Sequence, residues 1–328
     1  MSQPAENTGG KFESAIHARP LTLLNGPPVA CETEVLKAAG ARVALLGVPF
    51  DQANAGRSGA NFGPKALREV SYQFLSYLVT DDLDYIRHFK LVDAGDVPVP
   101  VANLKRTHQL IEDSADRIRA AGALPFLIGG DHSITIAATR SAARSVPRMG
   151  HVSFDAHLDT ADTVGGEPDT SASPTSRTAE LPNVDPRNVV VVGVRGTLNP
   201  RQQIEYARHH GLTVITMDEV CSQGAILAAA RAFKIASQGT DGIYVTFDTD
   251  GIDAAYAPGT TSPEPGGFTS REILQIARLA GQQHLVGVDV VELCPAYDPG
   301  GITARLVGNL VVQVLAGIAR PAATEVQA

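Results

Sequence analysis

The chain has 328 residues, 44% of them hydrophobic, and a formal net charge of −8 at pH 7. This composition can supply a large buried core and argues against intrinsic disorder. With 27 basic and 35 acidic residues and no long Lys/Arg run, the chain lacks the charge pattern of a nucleic-acid or anionic-membrane binder, so we expect a small-molecule ligand.

No segment has the pattern of a targeting sequence or a membrane span. Residues 1–14 are polar and lack the apolar stretch of a secretory signal, and no apolar run approaches the ~18 residues of a transmembrane helix. Cys31, Cys221 and Cys294 are too far apart for a zinc knuckle or a CxxC pair, which favours buried thiols in a reducing compartment. We therefore expect a cytoplasmic protein.

Apolar, β-branched runs alternate with longer segments of helical periodicity, which predicts a mainly parallel eight-stranded sheet covered by helices on both faces. The predicted strands cover residues 42–48, 90–93, 124–128, 151–154, 188–194, 213–217, 242–247 and 285–290. The predicted helices cover residues 64–78, 103–121, 134–144, 200–209, 222–237, 270–281 and 304–318. Because no linker or repeat interrupts this order, we predict one α/β domain over residues 32–328. An irregular N-terminal arm, residues 1–31, precedes it and could pack against a neighbouring subunit.

The first candidate site segment, residues 129–133 (GGDHS), follows the third predicted strand. Its two glycines permit a tight turn before a helix that Asp131 or Ser133 could cap. A capped helix alone would explain Asp131, and a satisfied core histidine explains His132 equally well. Ligands of such sheets bind where the strands end, so this segment would share a site with residues at the other strand ends.

The next predicted strand runs directly into Asp155, His157 and Asp159. Side chains two positions apart on an extended chain share a face, so these three groups point into one cleft. Ionisable groups packed at a buried strand end are unfavourable unless a cation compensates them, and a metal ion is the simplest explanation. A solvated polar loop is the alternative, which the absence of a turn signal disfavours.

The seventh predicted strand repeats this arrangement with Asp248 and Asp250, again two residues apart. Asp253 is out of phase, and we interpret it as a cap or as a residue behind the metal ligands. Glu292 follows the eighth strand, where it either meets a cation in the same cleft or pairs with a surface arginine.

The combined set contains too many ligands for one zinc site, which has four positions and favours nitrogen and sulfur. An oxygen-rich set with some imidazole suits Mn²⁺ or Ni²⁺, with Co²⁺ and Fe²⁺ as further options. We predict two divalent ions, because two charges of +2 balance four carboxylates and lower the pKa of a bridging water. The six predicted ligands are His132, Asp155, His157, Asp159, Asp248 and Asp250.

These segments resemble the metal-binding signatures of the ureohydrolase family, which includes arginase, agmatinase and guanidinobutyrase. Residues 129–133 (GGDHS), 155–159 (DAHLD) and 247–250 (FDTD) match three signatures in order and spacing. The resemblance extends from about Gly47 to Leu310 and is closest to the agmatinase-like branch. It implies the arginase-like fold, a three-layer α/β/α arrangement. The further matching segments are residues 47–51, 59–64, 93–96, 257–259, 263–267 and 288–299.

The resemblance also implies the roles of individual residues in the hydrolysis of a small guanidino-type substrate by a metal-bridging hydroxide. Glu292 would hydrogen-bond the guanidinium group, and Asp159 would carry a proton to the leaving nitrogen. Asp51 and Ser171 are the further candidates for substrate binding. The family implies homo-oligomers, either trimers or hexamers. The two implied metal positions are held by His132, Asp155, Asp159 and Asp248, and by His157, Asp155, Asp248 and Asp250.

One position departs from the agmatinase-like branch. Where that branch carries a His-Gly-Thr-Pro segment, an ungapped alignment places Ser171-Ala172-Ser173-Pro174 here. This change predicts a different guanidino compound, such as guanidine, a substituted guanidine or a biguanide. Two alternatives stay open: a conventional agmatinase or guanidinobutyrase that releases urea, and a non-catalytic metal-binding subunit of a hetero-oligomeric amidinohydrolase.

Three other classes of protein fit the sequence less well. A histone-deacetylase-like enzyme would not need the doubled carboxylates. A metallophosphoesterase would need basic residues beside the metal ligands to receive phosphate charge, and a nucleotide-binding module would need a GxGxxG or GKS/T motif.

Overall fold

The computed structural model describes residues 21–320. Residues 1–20 of the predicted N-terminal arm therefore lie outside the described residues. The described part of the arm packs against this chain's own core, because Leu23 and Leu24 are fully buried and the Leu23 backbone N–H donates to Asp93 Oδ2 at 2.8 Å.

Strands and helices alternate along the described chain as the hydrophobic pattern predicts. The strands are β1 (Val43–Gly47), β2 (Tyr77–Leu78), β3 (Leu83–Asp84), β4 (Val92–Asp96), β5 (Leu124–Ile128), β6 (Met149–Phe154), β7 (Val189–Val194), β8 (Thr213–Thr216), β9 (Gly242–Asp248) and β10 (Leu285–Val291). The helices are α1 (Thr33–Ala39), α2 (Gly63–Val70), α3 (Tyr85–Phe89), α4 (Leu104–Ala120), α5 (Ile134–Ala143), α6 (Pro174–Ala179), α7 (Arg201–His210), α8 (Met217–Gln223), α9 (Ala225–Ala236), α10 (Ser270–Gly281) and α11 (Ile302–Ala319).

The central sheet has eight strands in the order β4-β1-β5-β10-β9-β6-β7-β8, and every neighbouring pair is parallel. Helices α2, α9, α10 and α11 cover one face, and α1, α4, α5 and α7 cover the other. The predicted three-layer α/β/α fold is confirmed. The short strands β2 and β3 form a separate antiparallel pair.

Alternation along the central strands places different side chains on the two faces of the sheet, both of which have apolar cores. Phe154 on β6 stacks on Phe247 of β9 and meets α9 through Phe233. Residues an odd number of positions away, such as His151 and Thr246, point to the α5 side of the sheet. The polar residues that continue to the strand ends are therefore covered by α5 and its preceding loop.

Several predicted boundaries are wrong for local reasons. The helix predicted over residues 64–78 ends at Val70, and the one predicted over residues 222–237 is divided at Gly224, whose φ of 93° interrupts helical geometry. Lys90 has a φ of 44° and ends α3, so the strand predicted from this residue begins at Val92 instead. The pattern also missed α1, α3 and α6, which have only five to seven residues.

Two further sequence predictions need correction. The segment Pro299–Ala319 is long and apolar enough to cross a membrane by length and composition, contrary to the prediction, although 61% of its most apolar window is buried. It packs as a core helix against α10 and α2. The expectation of buried thiols holds for Cys294, whereas Cys31 is half-buried and Cys221 is exposed.

The contact between α10 and α11 depends on two glycines. A methyl group on Gly317 would lie 2.1 Å from the Arg278 carbonyl oxygen, and one on Gly281 would lie 2.0 Å from the Val314 carbonyl oxygen. The helices can therefore approach this closely only where both side chains are absent.

We predict that Gly317→Ala lowers the free energy of unfolding by about 1–3 kcal/mol, the usual effect of overpacking a close contact. This sign opposes the gain of ~1 kcal/mol that alanine gives in an unstrained helix. Chemical denaturation measures the change, with Asn309→Ala on a more exposed position of the same helix as the control. Unchanged or increased stability of Gly317→Ala would show that the helices separate freely.

Candidate metal centre

The predicted site residues follow four neighbouring strands at the carboxyl edge of the sheet. His132 follows β5, Glu292 follows β10, Asp248 ends β9 and Asp155 follows β6. Since these strands are parallel and adjacent, their ends converge on one place, as expected for ligand sites in such sheets.

His132 faces three carboxylates. Its Nδ1 atom lies 2.9 Å from Asp159 Oδ2, 3.1 Å from Asp248 Oδ2 and 3.2 Å from Asp155 Oδ2. Although His132 and Asp155 are buried, neither His132 Nδ1 nor Asp155 Oδ2 has a hydrogen-bond partner. Buried polar atoms without partners are unfavourable, and a shared divalent cation would satisfy both. We refer to these four residues as the first group.

A second group forms around His157. Its Nδ1 atom lies 3.1 Å from Asp250 Oδ2 and 3.5 Å from Asp155 Oδ1. Potential ligand atoms of Asp155, His157 and Asp250 lie within 4.8 Å of one another, so Asp155 contributes one oxygen to each group. The structure thus brings all six predicted ligands together, while the participation of Asp248 in the second group stays a prediction.

The charge of the cluster is unbalanced without cations. Burial raises the pKa of Asp248 well above its usual value, and the negative charges of Asp250 and Asp155 raise it further. Burial likewise raises the pKa of Asp159 to about 6, with Asp155 adding to the shift. Carboxylates that resist ionisation in this arrangement would be stabilised by divalent ions, so the donor set fits a paired metal centre.

Backbone strain also marks the site. Asp159 and Glu292 have φ angles of 51° and 64°, in the left-handed region that non-glycine residues rarely occupy. Such strain persists where surrounding contacts hold it, often at functional sites. The residue pattern did not predict this strain, because neither position carries a glycine that would indicate a positive φ.

Glu292 is buried and hydrogen-bonded through both carboxylate oxygens. Oε1 accepts from the His132 backbone N–H at 2.7 Å, whereas Oε2 accepts from the Thr261 hydroxyl and from Asn54 Nδ2. Burial raises its pKa to about 8, and the nearby charge of Asp131 contributes. Glu292 therefore lies beside the metal ligands rather than pairing with a surface arginine.

A cavity of about 210 Å³ opens above the two groups. Its apolar wall contains Val164, Leu198 and Pro200. Its polar and charged lining residues are Asn54, His157, Asp159, Ser171, Gln203, Asp248, Asp250, Thr261, Ser262 and Glu292.

Ser171 and Asp51 have different positions relative to this cavity. Ser171 lines it, and its hydroxyl oxygen accepts from the Ala55 backbone N–H at 2.8 Å. Asp51 does not line it, because its carboxylate accepts from the Gly59 N–H at 2.7 Å and holds the loop between them. Asp51 therefore shapes that loop in this structure, and substrate contact by Asp51 stays a prediction.

Two further acids support the loops of the site. Asp131 accepts from the backbone N–H groups of Ala53 and Ser133, each at 3.0 Å. It thus joins the loop after β1 to the loop after β5. Ser133 occupies the N-cap position of α5, but its side chain makes no capping hydrogen bond, so the prediction that Ser133 caps this helix is wrong. Asp253 accepts from three backbone N–H groups, including those of Gly266 and Gly267.

Asn54, Thr261 and Gln203 were not predicted from the sequence, although they line the cavity. Each is a neutral polar residue on a loop or a helix start distant in sequence from the metal ligands. Asn54 and Thr261 lie between segments that resemble the family, whereas no such segment lies beside Gln203.

Comparison with known proteins shows the family of this chain. The Arginase family model matches residues 41–317. The guanidinopropionase of Pseudomonas aeruginosa is 36% identical over 87% of this chain and 89% of its own length, and agmatinases are among the other relatives. The chain therefore belongs to the arginase family and resembles its agmatinase-like branch.

Solved structures agree with this assignment. The proclavaminate amidinohydrolase of Streptomyces clavuligerus has a TM-score of 0.83 and 32% identity, covering 93% of this chain and 99% of that one. The formiminoglutamase of Trypanosoma cruzi, solved with Mn²⁺, has a TM-score of 0.80 and 25% identity, covering 86% and 95%. This chain is accordingly an amidinohydrolase, a hydrolase of C–N bonds in linear amidines, and its family supports a paired Mn²⁺ centre.

We predict that the reconstituted protein binds about two divalent ions per chain. Asp250→Ala should lower this number towards one, because Asp250 contacts only the second group. Elemental analysis after removal of loose metal measures the stoichiometry. Asp253→Asn serves as the control, since this nearby carboxylate contacts backbone N–H groups. A stoichiometry of one in the native protein, unaltered by Asp250→Ala, would exclude a paired centre.

Proposed function

We propose that the chain hydrolyses a C–N bond in a small guanidino compound whose remainder carries no separate charge, such as guanidine, a substituted guanidine or a biguanide. The observation that supports this most directly is the composition of the cavity wall. Within residues 21–320, no lysine or arginine lines the cavity, and its only acids are metal ligands and Glu292.

A substrate with a carboxylate tail would lack a partner in this cavity. Burying an unpaired carboxylate is strongly unfavourable, whereas an arginine would stabilise it. Arg57, a nearby cation, stacks 3.6 Å above the Tyr297 ring and donates to the carbonyl oxygens of Thr260 and Thr261. Its existing bonds disfavour a role in holding the tail of a guanidino acid.

The uncommitted polar groups of the wall are neutral. Gln203 Oε1 is buried and has no hydrogen-bond partner, and the Ser171 hydroxyl accepts one bond while its proton remains available. Such groups can bond the N–H donors and nitrogen acceptors of a neutral remainder, but they offer no opposite charge to a carboxylate or an ammonium group. They support a neutral remainder beyond the guanidinium group.

The residues that line the cavity can supply each group that hydrolysis of a guanidino compound requires. When bound, divalent ions would act as Lewis acids and lower the pKa of a water molecule. Glu292 would bind the guanidinium group through a charge-assisted hydrogen bond, which orients the central carbon towards the ligand cluster. Asp159 both belongs to the first group and lines the cavity, so it is the proposed proton carrier to the leaving nitrogen.

We propose Mn²⁺ or Ni²⁺ as the physiological metal, because carboxylates supply four of the six ligands and imidazoles supply two. Co²⁺ and Fe²⁺ would suit the same donors. A homo-oligomer in the cytoplasm is proposed as the working state, and the exposed apolar side chains of Val79 and Val101 are compatible with subunit contacts. Light scattering on the purified protein measures the oligomeric state.

We predict that Glu292→Gln lowers kcat/KM by about 10- to 150-fold, the equivalent of ~1.5–3 kcal/mol for a hydrogen bond to a charged group. The amide keeps an oxygen for the His132 N–H, so metal content should not change. Steady-state kinetics and elemental analysis on the same samples measure both effects. Unaltered kcat/KM at full metal occupancy would exclude Glu292 from substrate recognition.

We predict that the native protein, loaded with Mn²⁺ or Ni²⁺, prefers guanidine, a substituted guanidine or a biguanide over agmatine, arginine and guanidino acids. Ser171→His should shift this preference towards agmatine, since an imidazole can donate a proton near neutral pH and a serine hydroxyl cannot readily do so. Product release from a substrate panel measures the ratios.

Ser171→Ala is the matched control, because it removes the hydroxyl without adding a proton donor. Efficient agmatine turnover by the native protein, retained in Ser171→Ala, would instead indicate a conventional agmatinase. Full metal occupancy without turnover of any panel member would favour the alternative of a non-catalytic subunit.

A further inference from the structure

Polar side chains form a buried layer directly beneath the metal ligands. Ser153 on β6, Thr246 on β9 and Asp289 on β10 are paired in register across three neighbouring strands. Ser153 lies two residues before Asp155 and Thr246 two residues before Asp248, and each of the three side chains is at most 1% exposed. Buried polar groups are unfavourable unless they are hydrogen-bonded. Apolar side chains at these positions would stabilise the sheet interior better, so a polar layer here indicates a role beyond packing.

The orientation of His132 links the first group to this layer. Its Nδ1 atom faces the three carboxylate oxygens and must present a lone pair to a cation, which leaves the ring proton on Nε2. Nε2 lies 3.1 Å from the Thr246 hydroxyl oxygen. In this tautomer the imidazole donates to Thr246, and the Thr246 hydroxyl proton must be donated elsewhere.

Asp289 is the acceptor next to that hydroxyl. Its Oδ2 atom already accepts from Thr135 of α5 at 2.8 Å and from the Tyr244 hydroxyl at 2.7 Å. Its Oδ1 atom is buried without a hydrogen-bond partner, and Asp289 is paired in register with Thr246 on the neighbouring strand. The carboxylate is thus fixed from two directions and keeps one oxygen for Thr246.

We propose that Thr246 and Asp289 are positioning residues that fix the ring orientation and Nε2–H tautomer of His132. In this arrangement the His132 imidazole donates to the Thr246 hydroxyl, and that hydroxyl directs its proton towards the partnerless Oδ1 atom of Asp289 on the neighbouring strand. Neither residue lines the substrate cavity, so the effect acts through the metal ligand alone. Partners behind a ligating histidine typically change metal affinity by 10–100-fold when removed.

The effect should be selective for one of the two metal positions. His132 belongs to the first group, whereas His157 holds the second. The buried Nε2 atom of His157 has no hydrogen-bond partner in the described part of the chain, so no equivalent relay supports it. Loss of the Thr246 hydroxyl would therefore weaken the binding of the ion in the first group and leave the binding of the other ion unchanged.

Titration of the metal-free protein with Mn²⁺ in a chelator buffer tests the proposal without any substrate. Thr246→Val removes the hydroxyl with little change in shape, and we expect one of two ions to bind 10–100-fold more weakly. Thr246→Ser should retain near-native binding of both. Ser153→Ala is the matched control, because its hydroxyl lies in the same layer and has no hydrogen-bond partner.

Asp289→Asn tests the far end of the relay and serves as the second variant if Thr246→Val does not fold. We expect the same selective loss, with the melting temperature of the metal-free protein close to that of Ser153→Ala. Native binding of both ions by Thr246→Val and Asp289→Asn would overturn the proposal. Equal weakening of both ions with a lowered metal-free melting temperature would also overturn it, because that pattern indicates a general structural role.

Discussion

The burial of like charges at one edge of the sheet is the constraint on which the rest of the structure depends. Four carboxylates converge within a few ångströms, and Asp155 contributes an oxygen to both groups. Such a cluster is tolerated in a folded protein only when cations or protons neutralise it. The scaffold must therefore hold the carboxylates rigidly enough for metal geometry and admit cations from the cavity side.

The parallel sheet provides this rigidity because the ligands stand at or just beyond strand ends rather than on long loops. Close backbone packing extends it to the loop that bears His132. A side chain at Gly130 would lie 2.0 Å from the Phe50 carbonyl oxygen, so only glycine allows this loop to reach the neighbouring one. Asp131 then joins the same two loops through the Ala53 N–H. Backbone hydrogen bonds hold both residues with a positive φ: the Glu292 N–H donates to the Gly130 carbonyl oxygen, and the Asp159 carbonyl oxygen accepts from the Thr175 and Ser176 N–H groups.

The sequence predicted the parts of the molecule that depend on local periodicity. Asp155, His157 and Asp159 could be assigned to one cleft because alternation along a strand is a local property. The contacts of Asp51 could not be predicted, because its partner Gly59 depends on how a loop folds back. Helix breaks at Gly224 and after Val70 escaped detection for a related reason, since apolar periodicity continues past both positions while the backbone changes direction.

Metal chemistry and substrate choice are carried by different structural elements in this protein. The ligands extend from β6, β9 and the loop after β5, whereas the outer wall comes from loops and from the first turn of α7, which carries Gln203. Strand ends cannot vary without loss of the metal centre, but loop side chains can change with little effect on the sheet. The guanidinopropionase of Pseudomonas aeruginosa is 36% identical to this chain over 291 residues, and this identity does not determine which side chains line the outer wall. The proposed preference for a neutral guanidino compound therefore depends on these loop side chains rather than on the strand ends that hold the metal centre.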